Sequence, residues 1–82
     1  MSAETGSSTE TIEVYVCLLN EGTPVARPTR GVPLGNGVVR LLPTPDYDPE
    51  LEEWEFPPGS EVQCVSEVRS GGSVLVARQR VA

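Results

Sequence analysis

The densest group of chemically active side chains in this sequence is the acidic segment 46–56, DYDPELEEWEF. It holds six carboxylates together with three of the chain's four aromatic residues. Aromatic rings set among carboxylates suit a basic, proline-containing peptide, because rings pack against a polyproline II helix and attract cations. We therefore predict that this segment binds a protein or peptide partner. The predicted partner-binding residues are Asp46, Tyr47, Asp48, Glu52, Glu53 and Trp54.

The aromatic residues of this segment also have a structural interpretation. Large apolar residues are scarce in this chain of 82 residues, so Trp54 and Phe56 are candidates to fill one end of a small core. We prefer the core position for Phe56, and we expect Trp54 and Tyr47 to form a partly exposed platform.

The carboxylates do not match a metal site or a catalytic pair. Asp46, Asp48 and Glu50 alternate like the start of a calcium loop, but an EF-hand needs Gly at position six and Glu at position twelve. Those positions hold Leu51 and Pro57, so we expect a solvated acidic loop without a metal. General acid–base catalysis needs carboxylates in environments that separate their pKa values, and neighbouring glutamates on one loop lack such separation.

Other residues also argue against an enzyme. Cys17 and Cys64 are the only two cysteines, and the chain has no histidine that would act as a base for them. We expect two reduced thiols buried in strands, with a disulfide as the alternative. No cofactor motif is present, so the sequence predicts a non-enzymatic binding module.

The basic residues suggest an alternative function. All six are arginines, and Arg27, Arg30 and Arg40 fall on two neighbouring predicted strands, where a shared face would bind RNA. The net charge of −6 disfavours RNA, because an acidic chain is repelled by phosphates. We expect these arginines to pair with the acidic segment in the same molecule or across a subunit interface.

Short strands must position these residues. The segment 11–19, TIEVYVCLL, alternates with a period of two, which predicts a strand. Further strands are predicted over 25–34, 38–42, 61–68 and 73–81, and Gly35-Asn36-Gly37 predicts a type I′ hairpin turn. Pro28 and Pro33 make the second strand an edge strand or a bulged one bent at Gly31, and its open edge would allow self-association. One helical turn capped by Asp48 is predicted between Pro49 and Trp54.

These elements predict an all-β fold, a small five-stranded, strongly bent antiparallel barrel over residues 11–82. Residues 1–10 are polar and are predicted to be a disordered tail. The first ten residues have no secretory pattern, and no apolar run is long enough to span a membrane. We therefore expect a cytoplasmic protein that does not contact membranes.

Two resemblances accompany this fold. The segment 47–65, YDPELEEWEFPPGSEVQCV, resembles the acidic loop, diverging turn and following strand of SH3 domains, with 74–78 at the next strand position. The pattern VYVCLLNEGTPVARP…GNGVVRLL…WEFPPGSEVQC is similar to small bacterial proteins of no known function that have Sm-like or SH3-like barrels. The Sm-like resemblance implies a five-stranded bent sheet, RNA binding and ring assembly.

Overall fold

The computed structural model describes residues 10–69 and 71–81 of the chain. Its strands are β1 (Ile12–Leu19), β2 (Ala26–Gly35), β3 (Val38–Leu41), β4 (Glu53–Trp54), β5 (Glu61–Arg69) and β6 (Gly72–Arg80). Within those residues there is no helix of the length and apolarity that a membrane crossing requires. The predicted disordered tail lies outside the described residues except for Glu10.

Five of the strands pair in a closed ring. β1 pairs with β2, β2 with β3, β3 with β5 and β5 with β6, all antiparallel, and β6 returns to β1. This last pairing is parallel and joins Tyr15 to Val76. An odd number of strands cannot alternate in direction all the way around a ring, so one neighbouring pair has to be parallel. The predicted all-β fold of five principal strands is confirmed, with this one departure from antiparallel pairing.

The second strand is bent, as predicted, but it is not an edge strand. Its first half, Ala26–Gly31, pairs with β1, and its second half, from Gly31 onward, pairs with β3. Pro28 therefore lies in the half next to β1, and Pro33 lies in the half next to β3. Each half has one side without a ladder, which tolerates a missing N–H. The register of this second half is irregular between Pro33 and Gly35, close to the hairpin and away from Gly31, where the bend was predicted.

The hairpin between β2 and β3 forms as the Asn-Gly pair predicts. Asn36 and Gly37 both have positive φ angles, 57° and 80°. A type I′ turn requires this conformation at both central residues, and its twist matches that of the flanking strands.

The core lies inside the ring and is mainly aliphatic. Alternate residues of β1, β3 and β5 point inward, and the ring of Trp54 and the side chain of Ala77 complete the cluster. The buried cluster comprises Val14, Val16, Val39, Leu41, Trp54, Val62, Cys64 and Ala77. Burial of each large aliphatic side chain contributes about 1.5–3 kcal/mol. Trp54 connects the acidic segment to this cluster.

Candidate functional site

The acidic segment begins with one helical turn. The Glu50 backbone N–H donates to Asp48 Oδ1 at 2.9 Å, and the Glu52 N–H donates to the Asp48 carbonyl at 3.0 Å. Asp48 thus caps the turn as predicted. The turn ends at Glu52 and does not reach Trp54 as predicted, because Glu53 and Trp54 form β4 and pair with Leu19 and Leu18 of β1.

Trp54 does not form an exposed platform. Its side chain is buried, with 3% of the residue exposed, and it belongs to the core cluster. The expectation of a partly exposed Trp54 ring is therefore wrong, because the indole fills space in a core built mainly of valines. Tyr47 is half-buried, with its ring centroid 4.9 Å from that of Trp54 and an interplanar angle of 69°. Phe56 is half-buried against the same core.

Glu52 holds the acidic segment against β2. Its Oε1 accepts hydrogen bonds from Trp54 Nε1 at 3.0 Å and from Arg27 Nε at 3.1 Å. Arg27 also forms an ion pair with Glu52 Oε2, and only 17% of the Glu52 side chain is exposed. Glu52, one of the predicted partner-binding residues, therefore makes its contacts within the molecule, and these contacts fix the position of the acidic segment.

Four glutamates, Glu21, Glu50, Glu52 and Glu53, line a small surface hollow of about 220 Å³, which we call the acidic hollow. It is lined by Leu19, Asn20, Glu21, Pro49, Glu50, Leu51, Glu52 and Glu53. Glu50 and Glu53 are exposed, and Asn20 Nδ2 donates a hydrogen bond to Glu53. Leu51 is 79% exposed. Carboxylates beside exposed leucines can bind a basic side chain of a peptide whose neighbouring residues are apolar.

Glu21 is a lining residue that the sequence did not single out. It lies in the loop after β1, and it reaches the hollow because β4 pairs with the end of β1. A two-residue strand carries no readable alternation, so this pairing had no signal in the sequence.

The six predicted partner-binding residues therefore separate into three groups. Glu52 and Glu53 line the acidic hollow, whereas Asp46, Tyr47 and Asp48 lie at the start of the segment and do not line it. Asp46 is exposed, and Tyr47 and Asp48 are half-buried. Trp54 supports the loop from within the core.

The arginines of the alternative RNA site have partners within the molecule. Arg27 pairs with Glu52, and Arg40 Nη2 lies 3.0 Å from Glu61 Oε2. Arg30 donates to the Thr11 carbonyl at 2.7 Å and to Thr11 Oγ1 at 3.1 Å. The expected pairing between an arginine and the acidic segment is confirmed for Arg27.

The two cysteines are free thiols in different surroundings. Cys64 is buried in the core, and this burial raises the pKa of its thiol, which favours the protonated, unreactive form. Cys17 is half-buried on β1. In the described part of the chain, no group of three or more histidine, cysteine, aspartate or glutamate residues has an arrangement that would hold a metal ion.

Comparisons of the chain with protein-family models, curated proteins and solved structures give no significant match.

Proposed function

We propose that this protein is a non-enzymatic binding module whose acidic hollow takes a basic segment of a partner peptide. The observation that carries the proposal is the set of exposed carboxylates, from two loops, that surrounds the exposed Leu51 side chain. Glu21 comes from the loop after β1, and Glu50 and Glu53 come from the acidic segment.

The charge arrangement supports a cationic ligand. Glu50 and Glu53 form no ion pair with an arginine among the described residues, whereas Glu52 is neutralised by Arg27. A lysine or arginine of the partner would therefore meet carboxylates that have no competing cation. Complementary potentials of this kind accelerate association and select the partner.

The apolar component supports a peptide rather than a free cation. Leu51 is 79% exposed and Leu19 is 39% exposed, and both line the hollow beside the carboxylates. An apolar side chain next to the basic residue of the peptide would cover these leucines, with a gain of about 25 cal/mol per Å² of apolar surface removed from water.

The anchoring of the loop supports a preformed site. The Glu52 contacts with Arg27 and Trp54 tie the acidic segment to both β2 and the core. Less conformational entropy is then lost when a ligand binds, which is the usual advantage of a preorganised surface.

A peptide titration tests the proposal. The probe is a labelled, amidated peptide with two lysines followed by a leucine and a proline, and its affinity is read by fluorescence anisotropy. The double variant Glu50→Lys/Glu53→Lys is expected to lose at least about tenfold in affinity, because attraction becomes repulsion. The matched control is Glu13→Lys/Glu10→Lys, which makes the same charge change on exposed residues that do not line the hollow.

Two results would contradict the proposal. Equal losses in the two double variants would indicate a general charge effect, and an unchanged affinity in Glu50→Lys/Glu53→Lys would place the ligand elsewhere. Circular dichroism of each variant verifies that it remains folded.

The contacts of the arginines favour this proposal over RNA binding. A phosphate backbone would have to replace Glu52 at Arg27 and Glu61 at Arg40. Single-stranded oligouridine titrated in the same assay distinguishes the two, because RNA binding falls steeply with salt and would depend on Arg30 and Arg40.

A further inference from the structure

A second depression adjoins the acidic hollow and shares Leu19 with it. This depression, which we call the arginine-walled groove, has a volume of about 460 Å³ and lies between the β1–β2 end and the β5–β6 hairpin. Leu19, Pro24 and Val25 contribute its apolar side, and Arg69 and Arg78 contribute the opposite wall. Leu19 and Val25 are each 39% exposed, so this apolar side is accessible to a ligand.

The parallel pairing of β1 with β6 brings the arginines to the groove. Tyr15 pairs with Val76, so Arg78, two residues further along β6, lies near Cys17, two residues further along β1. This placement depends on the one parallel ladder of the ring. If β6 ran antiparallel to β1 with Tyr15 still opposite Val76, Arg78 would lie opposite Glu13 and not at the groove.

One carboxylate holds both arginines in place. Arg78 Nε donates to Glu67 Oε2 at 2.6 Å, and Arg69 Nη2 donates to Glu67 Oε1 at 2.8 Å. Arg69, Arg78 and Glu67 together carry a net charge of +1, and the Glu55 carboxylate on the groove lining offsets it. The Arg69 and Arg78 side chains remain 50% and 44% exposed. Each guanidinium has five N–H donors, so both retain donors for a ligand.

We propose that the arginine-walled groove binds an acidic side chain of the same partner peptide, which extends the proposed function on which this inference rests. The partner is an extended segment with a basic residue, then apolar residues, then a glutamate. The basic residue enters the acidic hollow, the apolar residues cover Leu19 and Val25, and the glutamate meets Arg69 and Arg78.

The charge pattern favours one glutamate rather than a strongly acidic ligand. Glu55 also lines the groove, and the acidic hollow begins at Leu19, so additional negative charges would be repelled. The N–H donors that Arg69 and Arg78 retain suit a single carboxylate, because guanidinium groups bind carboxylates through paired hydrogen bonds.

Two amidated peptides of equal length test this inference by anisotropy. Both have two lysines, a leucine-proline-valine centre and either a glutamate or a glutamine near the end. The wild-type protein is expected to bind the glutamate peptide about fivefold more tightly than the glutamine peptide, because only the glutamate forms charge-assisted hydrogen bonds with the exposed arginines. In the Arg69→Gln variant, which retains the Arg78–Glu67 pair, this preference is expected to disappear.

The matched control is Arg80→Gln on the same strand as Arg78. Arg80 donates to Ser60 Oγ at 3.1 Å and does not line the groove, so the variant loses the same charge elsewhere. The glutamate preference is expected to persist in it. Equal binding of the two peptides by the wild-type protein would overturn the inference, as would a preference that survives Arg69→Gln.

The failure of this inference is distinguishable from that of the proposed function. If both peptides bind equally and the Glu50→Lys/Glu53→Lys variant still loses affinity, only the glutamate assignment is wrong. If a peptide without lysines binds equally tightly, or if no peptide binds below about 1 mM, both proposals are wrong.

Sedimentation tests whether a second copy of the chain occupies the groove. A molecular mass that rises with protein concentration, and no longer does so in Arg69→Gln, would identify a second copy as the occupant and overturn the peptide assignment.

Discussion

At the scale of single residues, the structure assigns roles that residue type alone does not reveal. Trp54 suggested a binding platform, but it is a core residue whose indole N–H satisfies Glu52. A Trp54→Ala variant would therefore measure a loss of stability and not an effect on binding, since truncation of a buried tryptophan lowers the free energy of unfolding by about 3–5 kcal/mol. Gly31 has a role of similar importance, because it is buried at the point where β2 changes partner.

Replacement of Gly31 by alanine is expected to lower the free energy of unfolding by about 1–3 kcal/mol. The added Cβ would collide with Val39 Cγ1 and lie 3.1 Å from the Arg40 carbonyl oxygen. Urea denaturation followed by circular dichroism measures this change. The control is Gly22→Ala, whose Cβ meets no atom within 4 Å and is expected to change stability by less than about 0.5 kcal/mol. Similar losses in both variants would contradict the proposed crowding.

At the scale of secondary-structure elements, the β5–β6 hairpin carries an ion cluster formed by Glu67, Arg69 and Arg78. The hydrogen bonds and charges of Arg78 and Arg69 lower the pKa of Glu67 below its ordinary value of 4.5. A carboxyl with a lowered pKa in the folded state stabilises that state above its ordinary pKa. The contribution is lost as the pH falls through the lowered value.

The Glu67→Gln variant tests this linkage. We expect the difference in urea midpoint between wild type and Glu67→Gln to be present at pH 7 and to shrink as the pH falls below about 4.5. The Glu13→Gln variant is the control, because Glu13 is exposed and makes no ion pair with any described residue. A difference that stays constant down to about pH 2 would show that the Glu67 charge does not stabilise the hairpin.

At the scale of the whole molecule, a single core and a closed ring favour cooperative unfolding. Every strand of the ring has two neighbours, and four of the strands contribute residues to the same buried cluster. The loss of one strand would expose the core residues of the others. Small domains with one core usually unfold in a single transition.

We expect urea transitions followed by tryptophan fluorescence and by far-ultraviolet circular dichroism to coincide. Trp54 is the only tryptophan and lies in the core, so its fluorescence reports on core packing, whereas circular dichroism reports on all strands. Transitions with separate midpoints would show that part of the sheet, such as the β5–β6 hairpin, unfolds independently.

The local structure of this protein follows from short patterns in its sequence. The alternation over 11–19 located β1 within a residue, Asn36-Gly37 specified the hairpin turn, and Asp48 specified the cap of the acidic turn. These features depend on backbone and side-chain preferences that act over two to four residues. The all-β class with five principal strands followed from the same patterns.

Which of these segments meet depends on the tertiary arrangement of the strands. The choice of Arg27, among the three arginines expected to pair with the acidic segment, as the partner of Glu52 depends on contacts between distant segments. So do the entry of Glu21 into the acidic hollow and the burial of Trp54. The parallel contact of β1 with β6 places Arg78 at the groove. Such contacts depend on which arrangement of strands buries the apolar faces together, and local periodicity carries no information about that choice.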